Sequence, residues 1–247
     1  MKTLLRQIYI SYLRDKVDSY PDIRYGSRVY KGRRYECIWK VTKGKRTGIH
    51  HIHTPKGQEL LKTMRECDQY KCILLKAESE WIIKYGEPCK SVNFYRYGNT
   101  PNRRLFDSLV TGKGPFKENN KIEYNGTLYK SNLEVQFATI MDEHGILYKY
   151  EPEITVFDGR HRYPDFIIYL PWLDLLILVE IYGLSEKDNY IHTIRDRTYD
   201  YMMSGWMPGR TMLSLFHYDK ERIIPNMIME ELETIVLRNY LLNQEAA

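Results

Sequence analysis

The segment YPDFIIYLPWLDLLILVEIYG, residues 163–183, limits the fold more than any other part of the chain. Two apolar runs rich in Ile, Leu and Val flank a turn at residues 171–174, and each run carries one carboxylate, Asp165 and Glu180. Apolar runs of strand length, with no polar alternation, mark central strands covered on both faces. If the turn centres near Trp172, antiparallel pairing keeps paired residue numbers summing to about 344 or 345, which sets Asp165 opposite residue 179 or 180. Directly opposed side chains stand roughly 4.5–5.5 Å apart at Cβ, and like charges there repel. Burial removes the water that would screen them. A divalent cation answers both problems. Oxygen-only donors point to Mg²⁺, with Mn²⁺ able to take its place, and the main-chain carbonyl of Ile181 is a further donor. The plain alternative leaves Glu180 past the strand end and solvated.

The surrounding pattern is that of a mixed α+β chain. Asn125-Gly126 between Ile122 and Tyr129 is a hairpin signal. A helix is expected from Ser131, with Leu133, Phe137, Ile140 and Met141 on its apolar face. Ser131 and Glu134 have capping-box spacing, which is a complete structural explanation of Glu134; the functional reading, compatible with it, is that Glu134 points from the helix start toward the Asp165/Glu180 pair. Strands are expected at residues 146–150, 153–157, 163–169, 175–182 and 211–216, and helices at about 188–203 and 226–243. That order gives a mixed sheet flanked by helices. Upstream, residues 3–17 read as an amphipathic helix and residues 57–86 as helix in two pieces. Residues 87–122, polar and rich in Gly, Asn, Pro and Lys, read as a linker, so the domains are expected at 1–120 and 121–247.

Glu134, then Tyr163-Pro164-Asp165-Phe166, then Val179-Glu180-Ile181-Tyr182-Gly183 resembles the PD-(D/E)xK nuclease superfamily in order and spacing. The resemblance covers residues 123–217. It implies a restriction-endonuclease-like sheet in which Asp165 and Glu180, with Glu134, serve a catalytic metal. Tyr182 stands where the family carries its lysine. Some relatives move the basic residue to the next helix in a pattern resembling Y-x6-K-x3-Y, and Tyr190, Arg197 and Tyr201 match those places. Spacings of seven and four put all three on one helical face. An arginine stabilises charge but is no general base at ordinary pH, so activation of water would fall to the metal. Pro21-Asp22 is a second PD dipeptide, with no strand pair to match it.

Charge divides the chain. Residues 1–122 hold 26 Lys and Arg against 12 Asp and Glu, and residues 123–247 hold 11 against 20. A basic half beside an acidic half fits a grip for a polyanion joined to a carboxylate site, although solvated surface charge is the bland reading. Arg28, Lys31, Arg33, Arg34, Lys40, Lys43, Lys45 and Arg46 alternate with Tyr30, Tyr35 and Trp39, and Lys31-Gly32 and Lys43-Gly44 read as turns of a small antiparallel unit. These basic residues are candidates for DNA-backbone contact, RNA not being excluded. His50, His51 and His53 faintly resemble the opening of an HNH site, but the Asn and His needed downstream are missing.

No apolar run reaches the length of a membrane span, and the opening residues carry charges unlike a signal peptide. Four cysteines without CxxC spacing indicate neither a disulfide framework nor a zinc site. The expectation is a cytoplasmic protein of a bacterium or phage-infected host: a Mg²⁺-dependent DNA endonuclease of restriction, homing or phage type, working as a homodimer where both strands are cut. The rivals are a nuclease-fold DNA-binding protein that does not cut, and an assembly protein.

Overall fold

The computed structural model describes residues 2–93, 97–115, 121–183, 188–217 and 225–245. The chain is mixed α+β and divides into two compact units, Arg6–Phe94 and Tyr95–Ala247, the latter taking in Met1–Leu5 as well. Among the described residues no helix is long and apolar enough to cross a membrane.

The first unit holds most of α1 (Lys2–Asp18), a three-stranded antiparallel sheet of β1 (Ile23–Tyr30), β2 (Arg33–Thr42) and β3 (Lys45–His51), and α2 (Pro55–Tyr85). Both turns fall where the sequence puts them. Lys31-Gly32 and Lys43-Gly44 have positive φ at both residues, the hand that matches strand twist. In the register Arg24↔Trp39, Arg28↔Tyr35, Tyr30↔Arg33 and Val41↔Arg46, one face carries Arg24, Arg28, Arg33 and Arg46 among aromatic rings. Arg46 lies over the Trp39 ring at 4.7 Å. The expected break in the second helix is absent: α2 is one helix of 31 residues. No Pro or Gly interrupts it between its capping residues Thr54 and Gly86, the latter at φ 74°, once past its first turn. Gly57, in that first turn, is obligatory, since a Cβ there would stand 2.0 Å from the His51 carbonyl oxygen. Ile73, Ala77 and Trp81 of α2 pack with Ile10 and Leu13 of α1.

The second unit is built on a four-stranded mixed sheet in the order β11 (Met212–His217), β10 (Leu175–Gly183), β9 (Phe166–Leu170), β6 (Leu147–Tyr150). The pair β10/β11 is parallel and the other pairings are antiparallel. On one face Ile167, Tyr169, Leu176 and Leu178 pack with Phe106, Leu109 and Tyr201. On the other, Phe166 meets Phe137 of α4 (Asn132–Glu143), with ring centroids 4.7 Å apart. A sheet covered on both faces is what the unbroken apolar runs require. The hairpin β4 (Ile122–Tyr124) and β5 (Thr127–Tyr129) turns at Asn125-Gly126 as expected.

Two expectations change. The polar stretch read as a linker contains α3 (Pro101–Ser108), whose Phe106 stacks on Tyr169 at 5.4 Å. Thr100 Oγ1 donates to Asp174 Oδ1 at 2.6 Å, and Asn102 donates to the Asp174 carbonyl at 2.7 Å. An eight-residue helix with one deeply buried aromatic is too short to declare itself by period. Residues 116–120 of that stretch lie outside the described ones. Nor do residues 153–157 and 163–169 each supply a full strand to the main sheet. Instead β7 (Ile154–Thr155) and β8 (His161–Arg162) form their own ribbon, and β9 starts only at Phe166. Pro164 has no N–H to give a ladder, so Asp165 stands just outside the strand.

Candidate active site

The β9/β10 register runs from Leu175↔Leu170 to Val179↔Phe166, and one further step sets Asp165 opposite Glu180. Asp165 Oδ2 accepts from the Ile181 N–H at 2.7 Å, closing the edge of β10 that β9 has left. In a strand the N–H and C=O of one residue point to the same edge, so the Ile181 carbonyl also looks toward Asp165. Glu180 is sealed, at 1% exposure. Its Oε1 accepts from the Tyr201 hydroxyl at 2.6 Å and its Oε2 from Arg197 Nη1 at 3.1 Å. Both partners stand on α5 (Asp188–Met203), four residues apart, so one helical face delivers both. The side chain of Tyr190 lies outside the described residues. Tyr182 is buried with its ring 5.1 Å from Phe216.

Glu134 sits in the first turn of α4. Ser131 Oγ accepts from its N–H at 3.2 Å, as the capping box requires. Its carboxylate reaches one residue further back than that motif does, accepting from the Lys130 N–H at 2.9 Å and the Tyr150 hydroxyl at 2.8 Å. The cap and the site are both served.

The three acids carry more negative charge than the fold readily holds. Burial, and then the Glu180 charge, push Asp165 up to about 8 against the pull of the Ile181 N–H, Arg197 and Lys130. Some of the Asp165 surface reaches solvent, but its carboxyl is enclosed by protein atoms. Glu180 is raised by burial and held down by Arg197 and Tyr201. Glu134 is pushed up to about 7 by burial and the Asp165 charge, in spite of its two donors.

Two further residues belong to this cluster, and sequence reasoning passed over both. Lys130, just before the cap, forms an ion pair with Glu151, and Glu151 is buried beside the main chain of Asp165. Only an acid directly after the 146–150 strand and a lysine beside a cap signalled them. Asp200 of α5 is buried as well, accepting from Arg160 at 2.9 Å and from Arg162 at 2.5 and 2.8 Å.

Among the described residues no group of three His, Cys, Asp or Glu side chains is set to hold a metal ion, and this includes His50, His51 and His53. His51 packs edge-on to Tyr35 at 4.9 Å. The donor chemistry beside β10 nevertheless fits a hard dication: two opposed carboxylates, both destabilised in their charged forms, beside a main-chain carbonyl. Glu134 Oε2 already accepts from the Tyr150 hydroxyl and the Lys130 N–H.

Of the basic residues in the first unit, Arg28 lies on β1, Arg33, Arg34 and Lys40 on β2, Lys45 and Arg46 on β3, and Lys31 and Lys43 in the turns; all eight are exposed. Among the described residues none of the eight has an acidic ion-pair partner. Comparison with protein-family models, curated proteins and solved structures gives no match.

Proposed function

We propose that this protein is a metal-dependent DNA endonuclease with a restriction-endonuclease-like C-terminal unit, acting at Asp165 and Glu180. The observation that carries the reading is the opposed carboxylate pair. It stands at a strand end beside a backbone carbonyl, both members raised, with Arg197 and Tyr201 fixed on Glu180. Such a pair is costly to the fold and has no structural use that an apolar pair would not serve better.

Asp165, Glu180 and the Ile181 carbonyl would hold Mg²⁺ or Mn²⁺. When bound, the ion lowers the pKa of a water and draws charge from a phosphate oxygen. Hydrolysis adds a water oxygen to phosphorus and breaks the phosphorus bond to one sugar oxygen, which leaves as an alcohol and takes the proton that the water gives up. Arg197 orients Glu180 and faces the charge that grows on the phosphate, where preorganised donors act most strongly. Tyr201 fixes the second oxygen of Glu180. Glu134, poised near 7, holds a proton or releases it within the working pH range. The arginine-bearing sheet face of the first unit supplies grip on the DNA backbone, and cutting both strands of a duplex calls for two copies of the chain.

One observation favours a second reading. The Arg197–Glu180 ion pair already compensates part of the buried charge without a metal, as would suit a nuclease fold that binds DNA and leaves it whole. Labelled duplex DNA, single-stranded DNA and RNA incubated with Mg²⁺ or Mn²⁺ separate the cases. Preferred cleavage of duplex DNA supports the proposal, preferred cleavage of RNA changes the substrate, and salt-sensitive binding without cleavage in either metal favours the second reading.

A further inference from the structure

The Lys130–Glu151 pair has no part in the mechanism above, and its surroundings are unusual for a structural ion pair. Glu151 follows β6 in the left-handed region at φ 43°, a conformation uncommon for residues with a side chain. Its N–H donates to the Asp165 carbonyl at 2.9 Å, so the pair is built onto the backbone of the acid site. A segment of the same unit closes over it. The Gly112 N–H donates to the Tyr150 carbonyl at 2.8 Å and the Lys113 N–H to the Glu151 carbonyl at 3.0 Å. At Gly114 a Cβ would stand 2.4 Å from Glu151 Oε2, so only glycine can lie there without displacing the carboxylate.

The two ends of the pair are treated differently. The Glu151 side chain is 2% exposed and that of Lys130 is 29% exposed. A pair serving only to neutralise charge needs neither member at the surface, whereas a buried acid gripping a partly exposed lysine holds its ammonium in place at the margin of the site. The Lys130 main chain is tied down as well, its N–H lying 2.9 Å from Glu134 Oε2 and 3.2 Å from the Tyr150 hydroxyl. Its charge reaches Asp165, where it is one of the influences favouring the carboxylate. Arg197, the other cation of the cluster, has Nη1 committed to Glu180.

We propose that Lys130 is a catalytic residue, held by Glu151 as a positioning residue, and that its ammonium contacts a nonbridging oxygen of the phosphate being cut. The inference rests on the hydrolytic reading given above. No proton leaves Lys130; it stabilises charge that builds as water attacks phosphorus and the sugar oxygen departs.

The test compares the full-length wild type with Lys130→Met, Glu151→Gln and the double variant. Single-turnover cleavage of plasmid DNA with Mg²⁺, DNA affinity and melting temperature are measured for each. Cleavage is read well below the lowest melting temperature, so that every protein is folded. Lys130→Met leaves a buried carboxylate uncompensated and should melt lower; adding Glu151→Gln removes that charge and restores the melting temperature. The double variant should still cleave about 100-fold more slowly than wild type, as expected for loss of one preorganised donor to the reacting group. Its DNA affinity should change only a few-fold. Recovery of cleavage together with melting temperature in the double variant would make Lys130 a structural counter-ion and overturn the proposal. If the wild type itself leaves DNA intact, the hydrolytic reading fails first, which is a distinguishable result.

Discussion

At Asp165 and Glu134 the fold keeps protons that the unfolded chain gives up. Their folded values, about 8 and about 7, lie above the ordinary carboxylate range, so the folded state binds more protons between these limits. Without metal, the stability contributed by these groups is therefore greatest below about pH 4 and falls as pH rises from about 4 to about 8. Melting in EDTA across that range should show the loss, and Asp165→Asn should flatten it. An equally steep fall in the variant would mean that the strain lies elsewhere. The pairing of Asp165 with Glu180 was legible in the sequence because antiparallel register is arithmetic once a short turn is placed. Lys130 and Glu151 were not legible. Their meeting depends on the left-handed backbone at Glu151 and on Gly114 lying over it, neither of which leaves a periodic trace.

At the scale of the element, α5 carries the case, because it brings both partners to Glu180. Tyr201→Phe removes one donor to a buried carboxylate and should slow cleavage with little change in DNA affinity; equal loss of both would argue for general damage to the unit. Asp200 anchors the same helix through Arg160 and Arg162. Both arginines reach solvent, so losing their partner costs less than breaking a fully buried pair. Asp200→Asn should destabilise by roughly 1–3 kcal/mol in urea unfolding. Ser131→Ala should cost about 1 kcal/mol through loss of the α4 cap. The four-residue spacing of Arg197 and Tyr201 along α5 made the face that meets Glu180 legible in the sequence. In α3 a single buried ring anchors a helix of eight residues, most of the others polar, and composition gave the wrong reading. In α2 the sequence contained no breaker, and the two-piece reading had no physical basis.

Across the whole molecule, the unit Arg6–Phe94 carries 19 Lys and Arg against 10 Asp and Glu, and the rest of the chain 18 against 22. Affinity for DNA should fall steeply with salt. Replacing Arg28, Arg33 and Arg46 with Ala should weaken binding across sequences and lower the salt slope by about 0.9 for each phosphate that the protein no longer neutralises. A slope unchanged by the triple substitution would take the sheet out of the binding surface. The most direct measurement of the central claim is cleavage of supercoiled plasmid by wild type and Asp165→Asn, each with Mg²⁺, Mn²⁺ or EDTA. Nicked or linear product is expected from the wild type only with metal, and none from the variant. Equal cleavage by both proteins, or cleavage by the wild type undiminished in EDTA, would contradict that claim.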